Sequence, residues 1–209
     1  MICVLDTDRY LYKMRQPEAT KARILKQAGH LFNTQGYKAT SISDITTATK
    51  LTKGAIYRHF KSKNELEKEA LLYLSQTMFG QLRTQIKEQP NASGKLKALF
   101  GFFETYISNP PVKGGCPLLN VSTEADDAHP ELRKQAVLIL NMLRDAIITM
   151  LSNGVKYGQL KPTIQQEYYA SIIIGMLEGA IMMSKLRGNN KDIKMAIRHL
   201  ERVLVEIEV

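Results

Sequence analysis

Lys53, Gly54, Tyr57, Arg58 and Lys61 fall at i, i+1, i+4, i+5 and i+8, the spacing of one helix face. That face combines cations, a phenol hydroxyl and a glycine that permits close approach. Such groups suit phosphates and base edges in the major groove of duplex DNA. Ile56 and Phe60 fall on the opposite side, where a core would take them. A solvated basic face is the other reading of the same spacing. Free N–H groups at helix starts also bind phosphate, and Ser41 and Lys63 lie at such starts. Thr52, which caps the short helix carrying Lys53, completes the DNA-facing set.

The charge distribution supports a polyanion-binding end. Residues 1–63 hold 12 Lys and Arg against 4 Asp and Glu, whereas residues 64–209 hold 17 against 16. Nearly all of the net charge of +9 therefore sits in the first third. With 44% hydrophobic residues the chain can bury a sizeable core. The most apolar run, Tyr168 to Ser184, is short for a membrane span and carries Glu178. The acidic start MICVLDTDRY is unlike a secretory signal, so a cytoplasmic protein without a membrane partner is expected. Met1 and Met14 are both candidate starts.

Other chemistry is sparse. Cys3 and Cys116 make no disulfide framework, and no CxxC or Cys/His spacing suggests a metal. His30, His59, His129 and His199 are scattered. Asp126 and His129 share a helical turn, but the further carboxylates of a di-iron site are missing. No metal, cofactor or enzymatic activity is therefore expected. Cys116 follows Gly114 and Gly115 at a helix start, which can lower a thiol's pKa. It reads either as a redox or electrophile sensor or as a small packing residue. A cysteine nucleophile lacks a histidine nearby in sequence. The remaining rival is a helical protein binding nucleic acid or a membrane surface without specificity.

The positioning elements are all helical. Residues 1–16 show no period and read as a flexible arm. Ile24, Ala28, Leu31 and Phe32 mark a first helix over Glu18–Gln35, closed by Gly36. Ser41 and Asp44 form a capping box for a second, with Ile42, Ile45 and Ala48 inward. A third runs from Thr52 to near Phe60, giving a helix-turn-helix. Ser62 and Glu65 open a fourth that runs to about Glu88. Five more follow: one with Leu96, Leu99, Phe100, Phe103 and Ile107; one after Pro117; and one with Leu132, Ala136, Ile139, Leu143, Ile147 and Met150. The eighth is capped by Thr163 and apolar nearly all round, and the ninth carries the stripe Ile193, Ile197, Leu200, Leu204 and Ile207. The fold class is all-α: a DNA-binding domain over 17–63, then a domain of about six helices over 64–209.

The segment RILKQAGHLFNTQGYKATSISDITTATKLTKGAIYRHFKSKNEL resembles the N-terminal domain of TetR/AcrR-type regulators. Phe32, Gly36 and Tyr37 carry the resemblance, with Thr40, Ser41, Asp44 and Ile45. It continues through Thr52 to Gly54, Ile56, Tyr57, Phe60 and Lys61 to Lys63. The resemblance covers about residues 18 to 66. It implies DNA contacts from Lys53, Gly54, Tyr57 and His59 and a phosphate contact from Lys63. His59 stands where such regulators often have tyrosine, and Arg58 where histidine is common. Lys50 occupies a turn position usually held by glycine, so either the turn differs or the lysine accepts a left-handed backbone at roughly 1 kcal/mol. The resemblance further implies a dimeric repressor binding a near-palindromic operator and released by a small-molecule inducer. On that basis Met78, Phe103, Tyr106, Cys116, Met142, Tyr169 and Met176 are candidate inducer contacts, though such residues also fill plain cores. Gly175 and Gly179, with Ile197, Leu200 and Leu204, fit a helical dimer interface or close packing within one subunit.

Overall fold

Helix α1 (Pro17–Gln35) stops where Gly36 takes φ +99, a backbone that a side chain would strain. The computed structural model describes residues 17–125 and 129–209. The arm over 1–16 with Cys3 and Met14, and Asp126 of the Asp126/His129 pair, lie outside the described residues. The remaining described helices are α2 (Ile42–Thr49), α3 (Lys53–Tyr57), α4 (Lys63–Lys87), α5 (Ala92–Glu104), α6 (Pro117–Glu124), α7 (Pro130–Lys156), α8 (Gln166–Arg187) and α9 (Lys191–Ile207). Among the described residues no strand forms, only one isolated bridge between Leu160 and Glu208. The all-α class and the helix-turn-helix stand as read.

Local chemistry sets most boundaries. The Ser41 hydroxyl accepts the Asp44 N–H, and the Asp44 carboxylate accepts the Ser41 N–H in return. The Thr52 hydroxyl accepts from Ala55 N–H and starts α3. Ser62 caps α4 through Glu65 N–H, while the Glu65 carboxylate reaches back to Lys61 N–H. Two expectations fail by register. Ala48 is exposed and Thr49 is buried in its place, because α2 rotates one residue further than its apolar pattern suggests. The cap of α8 is Gln165, since Thr163 is taken up in a turn with Pro162 and the helix starts only at Gln166.

At 25 residues α4 spans about 37 Å and is the central element. It packs against α1 at one end and against α5, α6 and α7 along its length. Helix α9 lies on α8 and α5. Its stripe, Ile193, Ile197, Leu200, Leu204 and Ile207, is buried within the same subunit. That corrects the assignment of Ile197, Leu200 and Leu204 to a dimer interface: an amphipathic helix had a core available in its own chain. Helices α7 and α8 behave in the opposite way. Both contain strongly apolar windows, of which only 28% and 33% is buried.

Candidate nucleic-acid interface and core cavities

The α2–α3 pair is held on α1 by its apolar sides. Ile45, Ile56 and Phe60 join Ile24, Phe32 and Tyr37, and the Tyr37 ring stacks on Phe32 at 5.0 Å. This packing leaves the opposite face of α3 outward. Lys53, Gly54 and Tyr57 on that face are exposed, with the Lys53 ammonium 5.9 Å from the centre of the Tyr57 ring. Arg58 and Lys61 are exposed too, but past the end of α3, which stops at Tyr57 and not near Phe60. His59 is half-buried beside Phe60, at the margin of that face.

Two expected phosphate ligands are engaged elsewhere. The Lys63 ammonium donates to the Tyr37 carbonyl at 2.8 Å and pairs with Glu67 at 3.3 Å. Glu67 is only 2% exposed, and its burial outweighs the lysine and pushes its carboxyl above the usual range. Lys63 therefore compensates a buried acid and ties the turn after α1 to α4. The Ser41 hydroxyl donates to Asp44 at 2.6 Å, so it serves its own cap. That bond, with the one from Ser41 N–H, holds the Asp44 carboxyl below its usual range. Lys50 does adopt the left-handed backbone, at φ 52, and its side chain is exposed. The turn keeps its geometry and the lysine carries the strain.

A second joint between the N-terminal helices and the rest was not visible in the sequence. Asn33, at the end of α1 and 4% exposed, donates to the carbonyls of Lys113 and Gly115 at 2.7 and 3.0 Å. Asn120 of α6 donates to Asn33 Oδ1 at 2.9 Å and to the Gly114 carbonyl at 2.9 Å. Gly114 has φ +101, and a Cβ there would stand 2.4 Å from the Asn33 carbonyl oxygen. Glu124 of α6 accepts the Lys38 N–H at 3.1 Å. The loop before α6, the middle of α6 and its C-terminal end are thus fastened to α1 and the turn after it. Nothing short of the fold brings these residues together.

The seven candidate inducer contacts do not form one lining. Met78, Phe103, Tyr106 and Cys116 are each 3% exposed or less and pack into the core. Tyr106 stacks on Phe103 and donates its hydroxyl to the Met78 sulfur at 3.3 Å. Burial pushes its phenol well above the usual range. Tyr169 and Met176 are half-buried, whereas Met142 is 52% exposed. Met142 instead lines a separate cavity of about 600 Å³ between α4 and α7, with Phe79, Arg83 and Ile86. A second cavity of about 340 Å³ opens between α6, α7 and α8, walled by Leu118, Ala136, Leu140 and Ile174 and reaching Glu178.

Cys116 lies at the start of α6, yet its thiol is pushed well above its usual pKa. Burial is the main cause and neighbouring Glu178 the next; the N–H groups of Leu119 and Leu118 oppose them and lose. This removes the chemical basis expected for a reactive sensor thiol, because the nucleophile is the thiolate. Among the described residues no cluster of three or more His, Cys, Asp or Glu could hold a metal.

Residues 24–70 match the family model for bacterial regulatory proteins of the tetR family. Residues 92–200 match the model for the tetracyclin repressor-like C-terminal domain. The HTH-type transcriptional regulator TtgR of Pseudomonas putida is 26% identical over 168 residues, 79% of this chain and 80% of its own. The HTH-type transcriptional repressor DhaR of a Mycobacterium species is 22% identical over 173 residues, covering 82% and 85%. A solved TetR transcriptional regulator from Chloroflexus aurantiacus is 32% identical and superposes with a TM-score of 0.87, over 91% of this chain and 96% of that one.

Proposed function

The chain belongs to the TetR family of bacterial transcriptional regulators, and from that premise we propose a repressor that grips a near-palindromic operator as a homodimer and leaves it when a small molecule binds. Residues 17–63 serve as the DNA-binding unit and residues 64–209 as the sensing and dimerisation unit. The carrying observation is the exposed group formed by Lys53, Gly54 and Tyr57 of α3 with Arg58 and Lys61 just beyond its end, on a firmly packed helix-turn-helix. Inserted into a major groove, Tyr57 and Arg58 read base edges while Lys53 and Lys61 neutralise phosphates. Thr52 and His59 flank that face, and Lys50 adds a cation beside it.

The dimer is supported by α8. Tyr168, Ile172, Gly175, Gly179, Met182 and Leu186 recur at intervals of four and three, and all but the half-buried Gly179 are exposed. A Cβ built on either glycine meets nothing within 4 Å. A second copy laid along this stripe covers it, and the glycines admit its backbone closely. Two-fold pairing then presents two recognition helices to half-sites one helical turn apart or a multiple of it.

Release is a shift of population. Inducer binding favours a sensing-unit arrangement in which α4, with the Asn33–Asn120 joint, holds the recognition helices at a separation unsuited to the operator. A gel shift on DNA upstream of the gene, with competitor in excess, tests the whole reading. A discrete, competitor-resistant complex is expected from the wild type and not from Lys53→Ala/Tyr57→Ala. Only diffuse, competitor-sensitive binding across genomic fragments would overturn it, since counterion release alone carries no specificity.

A further inference from the structure

Glu178 of α8 places a carboxylate in the lining of a largely apolar cavity that also includes Ser122 and Arg133. Its Oε1 accepts the Cys116 thiol at 3.0 Å. Its Oε2 is withdrawn from solvent and has no hydrogen-bond partner. A buried acceptor left without a donor is costly, and native cores rarely keep one without a reason. Glu178 is part of the lining of a cavity of about 340 Å³ between α6, α7 and α8, with Leu118, Leu119, Ala136 and Ile174. That volume lies within the range that holds small organic ligands.

We propose that this cavity binds an organic cation, a protonated amine on an apolar body, whose N–H groups are accepted by Glu178. The proposal rests on the ligand-release reading above and names the class of ligand. A neutral donor would satisfy one lone pair, but a cation also compensates the charge of a carboxylate largely withdrawn from water. An anion of the same shape is repelled. The groups facing Glu178 are Cys116 and Tyr106, both protonated at neutral pH, and Arg133 of α7, which lines the same cavity and is itself engaged. Burial pushes the Glu178 carboxyl above its usual range, and a bound ammonium draws it back down. The cavity of about 600 Å³ between α4 and α7 carries Arg83 and no carboxylate, so it offers a cation no partner.

The position also gives the ligand a mechanical outlet. Cys116, bonded to Glu178, directly precedes α6 and follows Gly114 and Gly115, which are held by Asn33 and Asn120. A cation drawing Glu178 away from the thiol acts on the segment that fastens α6 to α1.

The test uses three probes with one tail: decylamine, decanol and decanoate, titrated calorimetrically into the full chain. Decylamine should bind about tenfold more tightly than either of the others, the ratio expected of one charge-assisted hydrogen bond. Glu178→Gln should abolish that preference, with an unliganded melting curve confirming that the variant is folded. Ser122→Trp, at an exposed position lining the same cavity, should weaken decylamine binding in a chain whose Glu178 is intact. Equal binding of the three probes, binding of none, or a preference that survives in Glu178→Gln overturns the proposal. A parallel gel shift separates the two readings. Decanoate that binds and releases DNA would sustain ligand release while refuting the cation site. Decylamine that binds through Glu178 without releasing DNA would do the reverse.

Discussion

Replacing Asn33 by alanine probes the joint between α1 and the segment leading into α6. The side chain makes three hydrogen bonds there: two donated to the Lys113 and Gly115 carbonyls and one accepted from Asn120. At about 1 kcal/mol net for each neutral bond, their loss destabilises the chain by about 3 kcal/mol. The Gly115 carbonyl, in a buried residue, is then left without that donor, which pushes the figure upward. Asn33→Asp should be at least as damaging, because it turns a carboxylate oxygen toward two carbonyls. Thr34→Ala is the control: that hydroxyl bonds only carbonyls of its own helix, at an exposed position, so its removal should cost within about 0.5 kcal/mol. Urea unfolding followed by circular dichroism measures all three. A loss below about 1 kcal/mol for Asn33→Ala, or one no larger than that of Thr34→Ala, would refute the claim that this joint is a structural connection.

Four further outcomes are expected. Gly114→Ala should destabilise by several kcal/mol in the same assay, whereas Gly158→Ala, also at positive φ but with open space around it, should cost only about 1 kcal/mol; equal effects would mean that contact with Asn33 adds nothing. Lys50→Gly should gain up to about 1 kcal/mol by relieving its left-handed backbone, less what glycine adds to the freedom of the unfolded chain, and no gain would argue against that strain. Glu178 has a raised pKa in the folded chain, so its contribution to stability is present below the usual glutamate value of 4.5 and lost as pH rises through the folded pKa; Glu178→Gln should therefore stabilise the protein at neutral pH, with the gain shrinking toward pH 4.5, and a pH-independent difference would contradict the assignment. Gly175→Arg should shift a folded protein to monomer in sedimentation velocity, whereas Leu200→Arg should unfold it, and a dimer retained by Gly175→Arg would remove the α8 stripe from the interface.

What the sequence revealed and what it hid divides along the range of the interactions. Caps are local, so Ser41 with Asp44, Thr52 and Ser62 could be placed from spacings of three residues. Which residues of the α3 segment face outward was equally legible, because Ile56 and Phe60 had to turn inward together, but the end of the helix at Tyr57 was not. The α9 stripe was legible as a stripe but not in its destination: an apolar face looks the same whether its own α8 and α5 or a partner covers it. Only the fold shows that Ile197, Leu200 and Leu204 are used internally. Lys63 carried the family's motif, but its partner Glu67 becomes buried only once α4 packs. The Asn33–Asn120 contact spans 87 residues and the Cys116–Glu178 contact 62, and neither pair has a pattern that a sequence window could register.

Those two long-range contacts have a joint consequence for how a signal could travel. Packing of α1 on α4 is one link between the N-terminal helices and the rest. The bonds from Asn33 and Lys38 to the α6 region add a second anchor, so the orientation of α1 depends on where α6 lies relative to α4. A ligand between α6, α7 and α8 need not deform α4; it need only favour a different seat for α6. Its leverage is limited to its differential affinity for the two seats, and taking the operator from mostly bound to mostly free needs about 5 kcal/mol across the equilibrium. A single charge-assisted bond to Glu178 supplies about 1.5 to 3 kcal/mol in each subunit. Two occupied subunits reach that requirement only toward the upper end, unless apolar contacts with Leu118 and Ile174 also differ between the seats. Release should therefore be steeply dependent on ligand concentration, with singly occupied dimers still largely on DNA.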